Sequence, residues 1–117
     1  MNDMTLEDLN AFNIEWLRSW TAKDIARIAA MYAEDCSYKD GANTMGLSGR
    51  TMLVAYIEKL FPAVPDWIYT PDEIWPVEGG FCARWFLDMG GKKLRGFELV
   101  LLRGREIVAN EVYTHEL

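Results

Sequence analysis

Met31-Tyr-Ala-Glu-Asp-Cys-Ser-Tyr-Lys-Asp40-Gly41 is the stretch in which helical spacing gives way to strand spacing. Apolar residues at three- and four-residue intervals lead into it (Ile25, Ile28, Ala29 and Tyr32). From Cys36 onwards the chain alternates with period two, which places Cys36, Tyr38 and Asp40 on one face of a strand. The pattern predicts a helix that ends near Ala33 and a strand over residues 36–40.

Asp40 stands where this strand stops, and two interpretations of it remain open. If the Tyr38 face looks into the core, Asp40 is a carboxylate at the edge of an apolar chamber, where it can serve as a proton shuttle. Alternatively, Asp40-Gly41 opens an ordinary loop, because both residue types favour turns.

Two helices are predicted on the N-terminal side of this stretch. Thr5 is a plausible N-cap of the first helix, and Thr21-Ala-Lys-Asp24 is a capping sequence that starts the second. The first helix carries a heavily aromatic face, made of Leu9, Phe12, Trp16, Leu17 and Trp20. Such a face packs against a core, and a buried Trp16 indole N–H needs an acceptor.

On the C-terminal side we expect a loop over residues 41–46 and a third helix capped by Ser48 and ended by Pro62 and Pro65. Strands are predicted over 67–69 and 74–77, which Pro71 separates into an edge strand or two short pieces, and then over 81–89, 94–102 and 107–114. Glycine-bearing turns join the later strands, so they form antiparallel hairpins. The order predicts a single α+β domain over residues 1–117, with helices on one face of a curved sheet.

The composition limits the classes of function. The chain has 117 residues, of which 50% are hydrophobic and 26% charged, and its net charge of −6 argues against nucleic acid or an anionic membrane as a partner. No apolar run approaches the length of about 20 residues that spans a bilayer. The opening Met-Asn-Asp-Met-Thr has no features of a signal peptide, so we expect a cytoplasmic protein. With one histidine and two separated cysteines, we expect neither a metal site nor a cofactor.

Three segments of the sequence resemble the NTF2-like superfamily, and more closely its SnoaL-like and ketosteroid isomerase-like branch. Residues 20–40 are similar to the helix-to-strand signature of that branch, Gly46-Leu-Ser-Gly-Arg50 to its helix opening, and residues 96–113 to its closing hairpin. The resemblance implies a cone in which three N-terminal helices pack on a curved, mostly antiparallel mixed sheet. It also implies a homodimer formed through the outer sheet face, where we place Arg84, Phe86, Glu111 and Tyr113.

The resemblance also implies a set of site residues. Asp40 falls where ketosteroid isomerases keep a general base, Glu98 near their protonated acidic donor, and Trp16 where they keep an oxyanion-binding tyrosine. The predicted ligand-binding residues are Tyr38, Tyr56, Trp85 and Asn110. An indole is a weaker donor than a phenol, so steroid isomerisation itself is not expected.

Two site assignments have structural alternatives. A register shift of one residue would move Glu98 to the opposite sheet face. Trp16 can equally be part of the packed core.

These residues suggest a cofactor-independent enzyme that uses acid–base chemistry on a small, apolar carbonyl-type molecule in the cone. Asp40 would abstract a proton, while neutral Glu98 and Trp16 would hold the developing oxyanion. The type of reaction is open among isomerisation, cyclisation, dehydration and hydrolysis. A small-ligand binding protein without turnover, and a dimerisation module whose cavity is filled by its own side chains, are the alternatives.

Overall fold

A computed structural model describes residues 4–117, which run through three helices and six strands. In chain order these are α1 (Leu6–Thr21), α2 (Ile25–Ala30), β1 (Tyr32–Asp40), β2 (Asn43–Ser48), α3 (Arg50–Ala63), β3 (Trp67–Val77), β4 (Gly80–Met89), β5 (Lys92–Arg103) and β6 (Glu106–Glu116). Residues 1–3, which carry part of the expectation about a signal peptide, lie outside the described residues. Within residues 4–117 no helix is both long and apolar enough to cross a membrane.

The six strands form one mixed sheet in the order β2-β1-β6-β5-β4-β3. Every neighbouring pair is antiparallel except β1 and β6, which run parallel. The helices pack on the inner face of this sheet, which confirms the predicted α+β architecture. The edge position predicted for the strand that contains Pro71 is also confirmed, because β3 ends the sheet beyond β4.

The second helix is shorter and the first strand longer than the sequence predicted. Helix α2 ends at Ala30, and Tyr32 already belongs to β1. The Ile107 N–H bonds to the Met31 carbonyl at 2.9 Å, which draws the chain into the sheet at this point. Tyr32 fitted the helical pattern in the sequence because a buried position calls for a largely apolar residue whether the chain there is a helix or a strand.

The predicted loop over residues 41–46 is wrong, because Asn43–Ser48 forms the edge strand β2. Because β2 lies at the edge of the sheet, its residues are partly exposed and several of them are small or polar, a composition that is also typical of loops. The predicted cap at Ser48 is also wrong. Gly49 is the N-cap of α3, with a φ of +92° that disfavours any residue with a side chain, and its N–H bonds to the Cys36 carbonyl at 2.7 Å.

The predicted division of the strand around Pro71 resolves into a single strand. Residues Trp67–Val77 pair continuously with β4 apart from a register shift between Pro71 and Glu73. A bulge there accommodates the proline, which cannot donate a ladder hydrogen bond.

The core consists of the α1 stripe and the inward residues of the sheet. Leu9, Trp16, Leu17 and Trp20 are buried, as predicted, and the inward residues of β4 include Ala83, Trp85 and Leu87. Trp85 lies directly opposite Gly96 of β5. A Cβ atom on Gly96 would overlap the Trp85 ring, so the missing side chain lets the indole lie against the sheet.

We predict that Gly96→Ala lowers the free energy of unfolding by about 1–3 kcal/mol, because the added methyl group displaces the Trp85 ring. Urea denaturation followed by circular dichroism measures this. Gly41→Ala is the matched control, since a Cβ at Gly41 meets no atom within 4 Å and it should change stability little. Equal stability of the two variants would contradict the close packing of Trp85 on Gly96.

Candidate active site

An aromatic cavity of about 360 Å³ opens between α3, the end of β1 and the inner face of the sheet. Six rings line it, from Trp20, Tyr38, Tyr56, Trp67, Tyr69 and Trp85. Aliphatic, methionine, glycine, alanine and threonine residues complete the wall. Asp40 is the one charged residue among those that line the cavity.

The Asp40 carboxylate accepts five hydrogen bonds. Its Oδ2 accepts from the Tyr38 and Tyr56 hydroxyls, each at 2.8 Å. Its Oδ1 accepts from the Ala42 N–H at 3.0 Å and from the backbone and side-chain N–H groups of Asn43, each at 2.9 Å. One oxygen fixes the turn into β2, which the loop interpretation requires, and the other accepts from two phenols at the edge of the cavity. The role of Asp40 as a proton shuttle stays a prediction.

The phenols around Asp40 stay protonated near neutral pH. Burial raises the pKa of Tyr38 well above its usual value, and the neighbouring Asp40 carboxylate raises it further. The pKa of Tyr56 is raised by burial and by its hydrogen bond to Asp40. Both hydroxyls therefore act as donors to the carboxylate.

Tyr69 is a cavity residue that the sequence analysis did not select. Burial raises the pKa of Tyr69, with smaller contributions from nearby Glu98, Tyr56 and Asp40. Its hydroxyl makes no hydrogen bond to any of residues 4–117, so it remains a neutral donor beside the cavity. The signal was present in the sequence, because Trp67 and Tyr69 share one face of a strand by period-two spacing.

Three other predicted site residues lie in a buried hydrogen-bond chain, defined by Trp16, Tyr32, Asn110 and Glu98. The Trp16 indole donates to the Tyr32 hydroxyl at 3.1 Å, and that hydroxyl donates to Asn110 Oδ1 at 2.7 Å. Asn110 Nδ2 donates to Glu98 Oε2 at 3.2 Å. Tyr32 was not predicted as a member.

The structure therefore divides the predicted site residues into two groups. Asp40 and the predicted ligand-binding residues Tyr38, Tyr56 and Trp85 line the cavity. Trp16, Glu98 and Asn110 do not line it, although we expected all three to point into the same space. The roles given to both groups stay predictions.

Glu98 is fully buried and faces inward, since it pairs with Ala83 and Val112 across the neighbouring strands. Burial raises the pKa of Glu98 to about 8, and Asn110 and the nearby Trp85 indole partly oppose the rise. The Trp85 N–H and Glu98 Oε1 do not meet hydrogen-bond geometry, and neither atom has a partner among residues 4–117. The carboxyl is therefore protonated at neutral pH.

Metal ligands are not gathered anywhere in the part of the chain that the structure describes. Within residues 4–117 there is no group of three or more His, Cys, Asp or Glu side chains placed to hold a metal ion. Cys36 and Cys82 are free thiols, and burial raises the pKa of each. The polar side chains that line the cavity are the Asp40 carboxylate, three tyrosine hydroxyls, three tryptophan indoles and the Thr114 hydroxyl.

The raised pKa of Glu98 predicts a specific pH dependence of stability. Between the ordinary value of 4.5 and about 8, the folded protein keeps a proton that the unfolded chain releases. The free energy of unfolding therefore falls as the pH rises through this window, by about 5 kcal/mol at most. Glu98→Gln should remove this fall, so that urea denaturation between pH 5 and 9 gives a flatter profile than the wild type.

The exposed Glu78 provides the control, because Glu78→Gln should keep the wild-type profile. Parallel profiles for wild type and Glu98→Gln would show that Glu98 is ionised in the folded protein and would contradict the prediction.

Comparisons with known proteins agree with this architecture. The SnoaL-like domain family matches residues 14–111. A SnoaL-like protein of unknown function from Burkholderia thailandensis is 16% identical over 97% of this chain and 98% of its own, with a TM-score of 0.77. An NTF2-like protein of unknown function from Burkholderia xenovorans is 14% identical over 95% of this chain and 85% of its own, with a TM-score of 0.79.

A third structure comes from Catenulispora acidiphila and is described as having a ketosteroid isomerase-like fold, in complex with trimethylamine. It is 17% identical over 87% of this chain and 83% of its own, with a TM-score of 0.76. No curated protein sequence matches the chain significantly. At these identities the structures show the fold, and the family match covers most of the chain. The chain therefore belongs to the SnoaL-like domain family and has the NTF2-like fold that ketosteroid isomerase-like proteins share.

Proposed function

We propose that this protein is a cofactor-independent enzyme that moves a proton on a small, largely apolar carbonyl compound, cyclic ones included, bound in the aromatic cavity. The observation that carries the proposal is the position of Asp40. Its carboxylate is the one charged group among the lining residues, and it stands beside the aromatic walls of the cavity. A carboxylate in such a place is suited to general acid–base catalysis.

In the proposed reaction Asp40 takes a proton from the carbon next to the substrate carbonyl. Tyr56, which is half-buried and donates to Asp40 Oδ2, can move aside or pass the proton through its own hydroxyl. The developing oxyanion needs a neutral donor, and the free hydroxyl of Tyr69 is the candidate at the cavity wall. A phenol supplies the strong donor that the indole of Trp16 does not.

Glu98 and Trp16, the two donors predicted from the sequence, act in this proposal as positioning residues. Trp16 packs its ring edge against Tyr69 at a centroid distance of 6.4 Å, and Glu98 is close enough to raise the pKa of Tyr69. Their buried hydrogen-bond chain lies behind Tyr69, and burial of the Tyr69 phenol keeps its hydroxyl protonated.

A second candidate is a small-ligand binding protein without turnover. The five hydrogen bonds to Asp40 favour it, because a carboxylate with that many donors has few lone pairs left to accept a proton. The trimethylamine complex of the Catenulispora acidiphila protein also concerns a bound small molecule. The two candidates share a cavity and differ in whether a proton moves.

Deuterium exchange separates the two candidates. We expect the wild type to catalyse exchange of the protons next to the carbonyl in a panel of small cyclic ketones in D₂O, followed by proton NMR. Asp40→Asn should slow this exchange by about 10²–10⁴-fold, because the general base is lost. Asp66→Asn, which removes an exposed carboxylate, is the control and should retain the rate. If the NMR signals of a ketone shift in a saturable way but its protons do not exchange with deuterium, the protein binds the ketone without turnover.

We also propose a homodimer formed through the outer sheet face, which we define by Arg84, Phe86, Phe97, Glu111 and Tyr113. Phe97 and Tyr113 face each other across β5 and β6 and are 42% and 62% exposed. The Arg84 guanidinium stands 5.2 Å from the centre of the Trp75 ring on the same face. Exposed aromatic rings beside arginines are typical of subunit interfaces, and a second copy of the chain presents the complementary surface.

We predict that light scattering during size-exclusion chromatography gives a mass of about twice 13.4 kDa for the wild type. Phe97→Glu should give the monomer mass, because it buries a charge at the centre of the interface. Met45→Glu is the matched control, since Met45 is 94% exposed on β2, away from the outer sheet face, and its variant should stay dimeric. A wild type that runs as a monomer would refute the dimer.

A further inference from the structure

We propose that the cavity takes an organic ammonium cation of the methylated class, tertiary or quaternary, held by the aromatic ring faces and the Asp40 carboxylate. This inference names the ligand class of the site and rests on the proposed function only in taking the cavity as the small-molecule site. It is argued from charge, from the rings and from the hydrogen bonds already present.

The first argument is the uncompensated charge of Asp40. No lysine, arginine or histidine is among the lining residues, and Asp40 forms no salt bridge with any of residues 4–117. Its five hydrogen-bond donors are all neutral groups. A negative charge beside an apolar chamber is stabilised by a cation, and no cationic side chain lines the chamber to supply one.

Lys23 is a cation that lies against the aromatic wall, and its ammonium group is already bound to three carbonyls. Its Nζ lies 5.5 Å from the centre of the Trp67 ring but donates to the Phe61, Val64 and Pro65 carbonyls at 3.1–3.2 Å. These carbonyls belong to the end of α3 and the residues after it. Lys23 therefore satisfies a helix end and forms no ion pair with Asp40.

The second argument is the nature of the wall. Ring faces attract cations through their electron density, and several rings around one space form the kind of cage that binds methylated ammonium groups. Tyr38 and Tyr56 also donate their hydroxyl protons to Asp40, which pushes electron density towards their rings. A volume of about 360 Å³ is near the lower end for ligand pockets and suits a small molecule.

The third argument decides between types of ammonium. A primary ammonium has three N–H donors that each need an acceptor. The lone pairs of Asp40 are already occupied by five donors, so the cavity offers few acceptors to such a group. A quaternary cation needs no acceptor and a tertiary one needs a single acceptor, because the methyl groups contact the rings while the charge interacts with Asp40 through space.

The test compares choline with its neutral isostere 3,3-dimethyl-1-butanol, in which carbon replaces the nitrogen. Titration of the wild-type protein, followed by the NMR signals of the tryptophan indole N–H groups, should show choline binding about 10- to 30-fold tighter. Tetramethylammonium chloride should shift the same signals, while sodium chloride at equal concentration should not. Equal affinity for choline and its isostere would overturn the inference.

Two pairs of variants assign the effect to the site. Asp40→Asn should lose most of the preference for choline, whereas Asp66→Asn, which makes the same change in net charge elsewhere, should keep it. Tyr56→Leu should weaken choline binding more than Tyr56→Phe, because only the latter retains the ring. Equal effects within either pair would place the cation outside the cavity and refute the proposal.

The outcome is separable from the proposed enzyme activity. Tighter binding of choline than of its isostere, without deuterium exchange on any ketone, supports the proposed ammonium ligand and refutes the proposed enzyme activity. Deuterium exchange on neutral ketones, without tighter binding of choline than of its isostere, supports the enzyme and refutes the proposed ammonium ligand.

Discussion

The buried hydrogen-bond chain from Trp16 through Tyr32 and Asn110 to Glu98 is the constraint on which the rest of the structure depends. It joins α1, β1, β6 and β5, so one set of polar contacts holds a helix and three strands in register. The Tyr32 hydroxyl both accepts and donates, and breaking either link leaves a buried polar atom without a partner, at a cost of about 1–3 kcal/mol. These hydrogen bonds lie behind the inner wall of the cavity and hold the residues of that wall in place.

Two polar systems share the interior and differ in charge. The chain that ends at Glu98 is neutral near pH 7, because burial raises the pKa of that carboxyl to about 8. The cluster around Asp40 is partly open to solvent and holds its carboxylate with five donors. Since Trp85 and Tyr69 pack at 4.9 Å between centroids on the cavity wall, the chamber is aromatic and the sign of its electric field is set by Asp40.

The sequence was sufficient for the order of the elements other than β2 and for the faces of the strands, because period-two alternation and glycine turns are local signals. Asp40, Tyr38 and the inward face of Glu98 followed from that alternation. Periodicity predicts which face of a strand a residue occupies, but not how far from the cavity it lies. It therefore could not show that Asp40 lines the cavity while Glu98 is buried behind the cavity wall. The same limit applies at Tyr32, where burial in a helix and burial in a strand require the same kind of residue. Edge strand β2 was missed because exposure makes its residues polar.

The parallel contact between β1 and β6 has a kinetic consequence. Strand β1 finds β2 through a tight turn, but its other neighbour is distant, since Tyr32 and Asn110 are 78 positions apart. Closing such a long stretch of chain costs entropy before the contact repays it, so non-local pairing is a slow step in folding. Until β6 docks, the tyrosines of β1 and the rings of the inner sheet face remain exposed to solvent. The aromatic cavity is thus assembled at the end of folding, and the species that precedes it is the one most prone to aggregate.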